Sequence, residues 1–282
     1  MQLNRKLFKF LYASLLCVGT VSISSAQNTD ISQGIKAPAG VKVDGKLTEW
    51  GTLPAYHKGT TLRYTLANDA TNLYLAITCT DNQNINKLLG GGLTFTINKD
   101  GKKKEKDAVV IEYPLAGRGG GGMRGIRMGG GRGATVDTAA LVAGRKQTVA
   151  AAKELSVTGI KDITDTLISI YNTNGIKTGI TFDAKGNLFY ELAIPLSLLE
   201  LSADKATELA YNLKLNGVQF GGGRQQGEGG RQGGGNGGGN GGGNGGGGFG
   251  GGGITINGGG GGAFMDMMTP TDFWAKYKLA KP

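Results

Sequence analysis

The stretch Val43-Asp44-Gly45-Lys46-Leu47-Thr48-Glu49-Trp50 decides the reading of this chain. An apolar strand end runs into an Asp-Gly turn, and a short polar link then leads to a tryptophan. Glycine supplies the backbone freedom of the turn, aspartate caps it, and the indole offers a large apolar plug for a core. A start of this kind suits a β-sandwich. The following sequence supports that class: Arg63–Ala67 and Leu73–Thr80 flank the turn residues Asn68-Asp69-Ala70-Thr71-Asn72, a hairpin pattern. Leu93, Phe95 and Ile97 then alternate with Thr94, Thr96 and Asn98, the period of a half-buried strand.

Upstream, Arg5, Lys6 and Lys9 precede an apolar run from Phe10 to Ile23 and then Ser24-Ser25-Ala26. This order is that of a signal peptide over 1–26, cut before Gln27. The run is shorter than the ~20 residues that span a bilayer, so an exported, secreted or periplasmic (cell-envelope) chain without a transmembrane segment is expected. Residues 27–39 read as a linker and 40–282 as one domain. Cys17 leaves with the signal, so Cys79 is the one mature cysteine, placed on the apolar face of a strand with Leu73, Leu75 and Ile77. No disulfide framework or thiolate metal site follows from that count. The formal charge of +10 falls to +7 when the three signal cations are removed. Such a balance favours an anionic cell-envelope surface or acidic polysaccharide as partner, and export argues against nucleic acid.

Two low-complexity insertions interrupt the domain. Residues 117–133 contain ten glycines with Arg118, Arg124, Arg127 and Arg132, and residues 221–262 contain 28 glycines in 42 positions, with repeats around Asn236, Asn240 and Asn244. Glycine chains bury little apolar area and lose the most entropy on ordering, which predicts loops without fixed structure. Elsewhere short helices are expected over 83–89 and 138–155, and strands over 109–113, 167–171, 177–182, 187–194 and 273–279. Tyr211, Leu213 and Leu215 alternate, and the apolar phase then shifts to Val218 and Phe220 across Gly217, which predicts a bulge. About eight to ten short strands with closely spaced turns predict an all-β, antiparallel β-sandwich with short helices and two glycine-rich insertions.

The order of four short motifs adds a family. Val43–Trp50 resembles the opening signature of family 9 carbohydrate-binding modules and their DOMON-like relatives. Asn68–Ile77, with Leu73 and Tyr74, is similar to the acidic turn and strand that follow in that family. Phe189-Tyr190-Glu191-Leu192-Ala193-Ile194-Pro195 is similar to a third signature, and Tyr211–Asn216 with Phe273–Ala280 fit the last two strands. The resemblance covers most of residues 40–280 outside the insertions. It implies a β-sandwich that binds sugars through aromatic side chains, with Asp44, Gly45, Trp50, Leu73, Tyr74, Glu191 and Pro195 as the residues that carry the fold motifs. The residues themselves depart from the sugar-binding pattern. Trp50 and Trp274, the two tryptophans, fall where core packing explains them; Tyr56, Tyr64, Tyr171 and Phe249 are the remaining stacking candidates.

For catalysis a glycosidase needs two carboxylates across a cleft. Glu191, Asp162, Asp165 and Asp81 are the candidates, and none sits in a catalytic pattern; Glu191 is expected to pair with a basic neighbour or to satisfy backbone donors at the sheet rim. His57 has no cysteine or serine motif beside it. Some DOMON-like relatives hold haem through methionine, which draws attention to Met265, Met267, Met268, Met123 and Met128. Asp44, Asn68, Asp69, Asp81 and Asn82 offer oxygen donors suited to calcium, and turn formation and capping account for the same residues. The expectation is therefore a non-catalytic exported module for carbohydrate or a cell-surface component. An envelope scaffold without a sugar site and a haem-binding electron-transfer domain are the alternatives.

Overall fold

A computed structural model of the protein describes residues 34–115, 137–218 and 261–282. The signal segment, the Gly/Arg insertion with Met123 and Met128, and all but the last two residues of the Gly/Asn insertion lie outside the described residues. Eleven strands and three α-helices are described: β1 (Ala55–His57), β2 (Leu62–Asn68), β3 (Asn72–Cys79), α1 (Asn82–Gly91), β4 (Leu93–Asn98), β5 (Val109–Tyr113), α2 (Thr138–Ala151), β6 (Glu154–Thr158), β7 (Leu167–Ser169), β8 (Lys177–Phe182), β9 (Leu188–Pro195), β10 (Glu208–Leu215), α3 (Gly261–Met268) and β11 (Thr271–Lys278).

These strands form two antiparallel sheets, β1-β2-β3-β9-β8 and β11-β10-β4-β5-β6-β7. The alternation in the sequence sets which side chains face the core, but β4, expected to be half-buried, is buried on both faces, with Thr94, Thr96 and Asn98 covered as well. Leu73, Leu75, Ile77 and Cys79 of β3 and Leu188, Tyr190, Leu192 and Ile194 of β9 point inward, towards Phe95 and Ile97 of β4 and Tyr211 and Leu213 of β10. A single apolar core results, and each such side chain contributes about 1.5–3 kcal/mol on burial. The hydroxyls of Tyr64 and Tyr211, both buried, meet at 3.0 Å between the sheets, so that neither polar tip is stranded in the core.

The β2–β3 hairpin forms where the turn residues predict it. Asp69 Oδ1 accepts from the backbone N–H of Thr71 and Asn72 at 2.6 and 2.7 Å, and Tyr74 Oη donates to Asp69 Oδ2 at 2.8 Å. Burial works against the Asp69 carboxylate, but these donors outweigh it and hold its pKa below the usual aspartate value. Asp69→Ala is expected to lower the unfolding free energy by about 1–2 kcal/mol at neutral pH. A depressed carboxylate pKa contributes stability above the unfolded-state value and loses it as pH falls through the native one. Urea denaturation of both proteins should therefore show the difference closing below about pH 4.

Three local expectations need correction. Helix α2 stops at Ala151, and Leu155 lies in β6, buried beside Val157 by strand alternation. The strand expected over 167–171 ends at Ser169, where the chain turns. No bulge forms at Gly217: β10 ends at Leu215, and the chain crosses α3 so closely that a Cβ on Gly217 would stand 1.8 Å from the Met268 carbonyl oxygen. Helix α3 itself was not foreseen. In the described part of the segment read as a linker, Asn68 N donates to Ile35 O and Ala37 N donates to Asn68 O, at 3.0 and 2.9 Å.

Candidate functional site

Opposite pairs in the register β2–β3–β9–β8 place Tyr74, Ala76 and Thr78, Glu191 and Phe189, and Gly179 and Thr181 on the outer face of the five-stranded sheet. The segment Asp44–Leu53 crosses this face as a strap. Gly45, at φ +79°, takes the left-handed turn that the Asp-Gly pair predicts, and Asp44 Oδ1 accepts from Lys46 N at 2.8 Å. Beneath it lies Gly179, where a Cβ would come within 2.6 Å of Gly45 N. The glycine inside β8 is the sequence signal of this close backbone approach. Thr181 Oγ1 donates to Gly45 O at 2.6 Å.

Glu191 holds the strap from mid-strand. Oε2 accepts from the backbone N–H of Asp44 and Gly45 at 3.0 and 2.7 Å, and Oε1 accepts from the Trp50 indole N–H at 2.7 Å. The side chain is buried, with 1% exposure for the residue. Burial pushes its pKa above the ordinary glutamate value, while the donors from Trp50, Gly45 and Asp44 pull it back. Of the two roles expected for Glu191, satisfying backbone donors is the observed one, in the middle of a sheet face rather than at its rim. No basic side chain contacts the carboxylate among the described residues.

Trp50 is therefore not a core plug. It is half-buried on the outer face, hydrogen-bonded to Glu191 and edge-on to Tyr74 at 5.9 Å between ring centres. Burial and then Asp69 push the Tyr74 phenol up to about 12. Asp44, Gly45, Trp50, Tyr74 and Glu191 thus form one assembly, whereas Leu73 points into the core and Pro195 closes β9 opposite Asn72. Trp274 is also half-buried, but on the outer face of the other sheet, opposite Asn212, so the two tryptophans do not form a stacking pair.

The remaining aromatic candidates scatter. Tyr64 is buried, Tyr56 lies beneath the Arg63 guanidinium at 5.6 Å, Tyr171 is 75% exposed with Lys153 at 5.8 Å, and Phe249 lies outside the described residues. The possible catalytic and metal residues are similarly dispersed. Asp81 caps α1 through Asn84 N, Asp162 and Asp165 are exposed, and His57 stacks on Phe273 at 4.1 Å while its Nδ1 accepts from Thr60 N. Met267 is buried, whereas Met265 and Met268 are exposed. No group of three or more His, Cys, Asp or Glu suited to a metal occurs among the described residues. Cys79 is buried at 1% exposure, and burial raises its thiol pKa.

Sequence reasoning missed the groove that the strap encloses. Its volume is about 750 Å³, and it is lined by Lys46, Leu47, Thr48, Gly51, Thr52 and Leu53 of the strap together with Arg63, Thr78, Thr181, Phe182, Phe189 and Lys146. Leu47, Leu53 and Phe189 give it apolar surface, and Thr48, Thr52, Thr78 and Thr181 supply hydroxyls. Lys146 arrives on α2, which is docked by its neighbour Arg145. That buried guanidinium donates to Gly186 O at 2.6 Å and to Asn82 and Asn86 side-chain oxygens of α1 at 2.9 and 3.1 Å. No helix among the described residues is long and apolar enough to cross a membrane. The chain matches no family model, and no curated protein is significantly similar to it in sequence.

Proposed function

We propose that this protein is an exported, non-catalytic β-sandwich module that binds carbohydrate of the cell envelope or its surroundings, and that the strap groove is its binding site. The groove carries the reading. Its volume lies within the range typical of small-ligand sites, and it offers an aromatic face beside several hydroxyl donors and acceptors, the combination a sugar ring uses. The resemblance of the Val43–Trp50, Asn68–Ile77 and Phe189–Pro195 motifs to family 9 carbohydrate-binding and DOMON-like domains points the same way, and the signal-like segment supports export.

Binding is favoured over hydrolysis by the state of Glu191. Both of its oxygens already accept N–H donors under the strap, and no carboxylate is among the groove's lining residues, so the paired acid and base of a glycosidase have no counterpart there. A glycan array probed with residues 27–282 tests the proposal. The expected result is retention on at least one class of saccharide, abolished by Phe189→Ala with an unchanged thermal transition. Failure to bind any neutral or acidic saccharide would sink it.

A further inference from the structure

From the charge of the groove we infer that its saccharide is anionic: one carrying uronate carboxylates or sulfate esters, with Lys46, Arg63 and Lys146 as the residues that face the charge. The inference rests on the carbohydrate reading and narrows its ligand. Three cations converge on one groove from three separate places in the chain: the strap, β2 and α2. Among the lining residues there is no aspartate or glutamate; Glu49, beside them on the strap, accepts from Thr48 Oγ1 at 3.0 Å, and the three cations outnumber it. Arg63 and Lys146 are exposed, and neither meets a carboxylate among the described residues; Arg63 instead donates to Leu53 O at 3.3 Å. Lys46 has a partner, Asp44, but at 3.4 Å between two exposed side chains, a contact of the kind that a ligand anion readily replaces.

The arrangement separates two kinds of recognition. Phe189 and the leucines offer apolar surface to any sugar ring, neutral or charged, while the cations discriminate between them. A guanidinium fork takes a carboxylate or a sulfate through two parallel N–H donors, and the two ammonium groups act as point charges beside it. Because all three cations are exposed, their contribution is screened by salt, whereas the apolar contact is not. The other sheet does not share this character. On its outer side Lys276 pairs with Glu208 and Lys214 with Glu105, so its cations are largely matched.

Isothermal titration with oligogalacturonate, a sulfated oligosaccharide and a neutral oligosaccharide of the same length tests the inference on residues 27–282. Either acidic ligand is expected to bind at least tenfold more tightly than the neutral one at low salt, and the preference should shrink as salt is raised. The two acidic arms tell carboxylate from sulfate. The double variant Arg63→Gln, Lys146→Gln is expected to lose about tenfold more in acidic than in neutral affinity while keeping its thermal transition, and Lys276→Gln on the opposite sheet should change neither affinity. Equal affinity for acidic and neutral saccharides, or an equal loss in Lys276→Gln, would overturn the anionic assignment and leave the carbohydrate reading standing. No binding to any saccharide would overturn the carbohydrate reading itself. Retention on anionic phospholipid vesicles in place of all three oligosaccharides would do the same.

Discussion

Glu191→Ala is expected to lower the unfolding free energy by about 3–5 kcal/mol, because it strands three buried or half-buried N–H donors at once. The donors belong to the strap, so the loss should fall there first. Urea denaturation followed by far-ultraviolet circular dichroism would report the sheets, and Trp50 emission, read in a Trp274→Phe background, would report the strap. A red shift of that emission should precede loss of the sheet signal. Glu191→Gln keeps one acceptor oxygen and should cost roughly half as much. Gly179→Val provides a separate route to the same outcome: it leaves the carboxylate in place but drives a side chain into the backbone of Asp44 and Gly45. If Glu191→Ala denatures at the wild-type midpoint with unshifted emission, the carboxylate does not hold the strap. On the function proposed above, a folded Glu191→Ala or Gly179→Val protein should also bind saccharide more weakly, since the strap forms one wall of the groove.

Asn68→Leu is expected to cost about 3–4 kcal/mol, although the side chains are close in size. Asn68 is 1% exposed, and its amide is fully used. Oδ1 accepts from Tyr277 Oη and Ala280 N, both at 2.8 Å, and Nδ2 donates to Ala280 O and Asp69 O at 2.9 and 3.0 Å. Leucine leaves the partners without a bond in a place water does not reach. Asn68→Asp should be as damaging at neutral pH, since it buries a charge and turns an oxygen towards the Ala280 carbonyl. Its behaviour with pH should run opposite to that of Asp69. A buried carboxyl facing a carbonyl has a raised native pKa, so the variant should regain stability as pH falls and lose it as pH rises through that value. Tyr277→Phe, which removes one of the four bonds, should cost about 1 kcal/mol. Thermal melts across pH 4–8 for the three variants check the set, and a wild-type transition temperature for Asn68→Leu would refute the account.

The parts of the fold written in neighbouring residues were legible. The Asn68–Asn72 turn, the alternation in β3, β4 and β10, and the helix over 82–91 each depend on contacts within a few positions. Element ends were harder to read, because tertiary packing decides them: Leu155 leaves the helical pattern to fill the core beside Val157, and Gly217 leaves the sheet to pass α3. The site was the least legible part. Glu191 meets its donors across 141 to 147 residues of sequence, and the groove takes one or two side chains from each of several elements. Trp50 was misplaced because its size argued for the core, while the indole N–H that keeps it at the surface finds its acceptor only in the folded chain. The single local clue was Gly179, a glycine inside a strand.

Asn68 has one more consequence. Its backbone pairs with Ile35 and Ala37 and its side chain with Ala280, so the two ends of the described domain meet at one residue, where a Cβ on Gly34 would come within 2.3 Å of Ala280 N. Tension applied between residues 34 and 280 would load this clasp of hydrogen bonds at the end of β2. In mechanical terms the described domain is a loop closed by a buckle, and force applied at its two ends meets the buckle at Asn68.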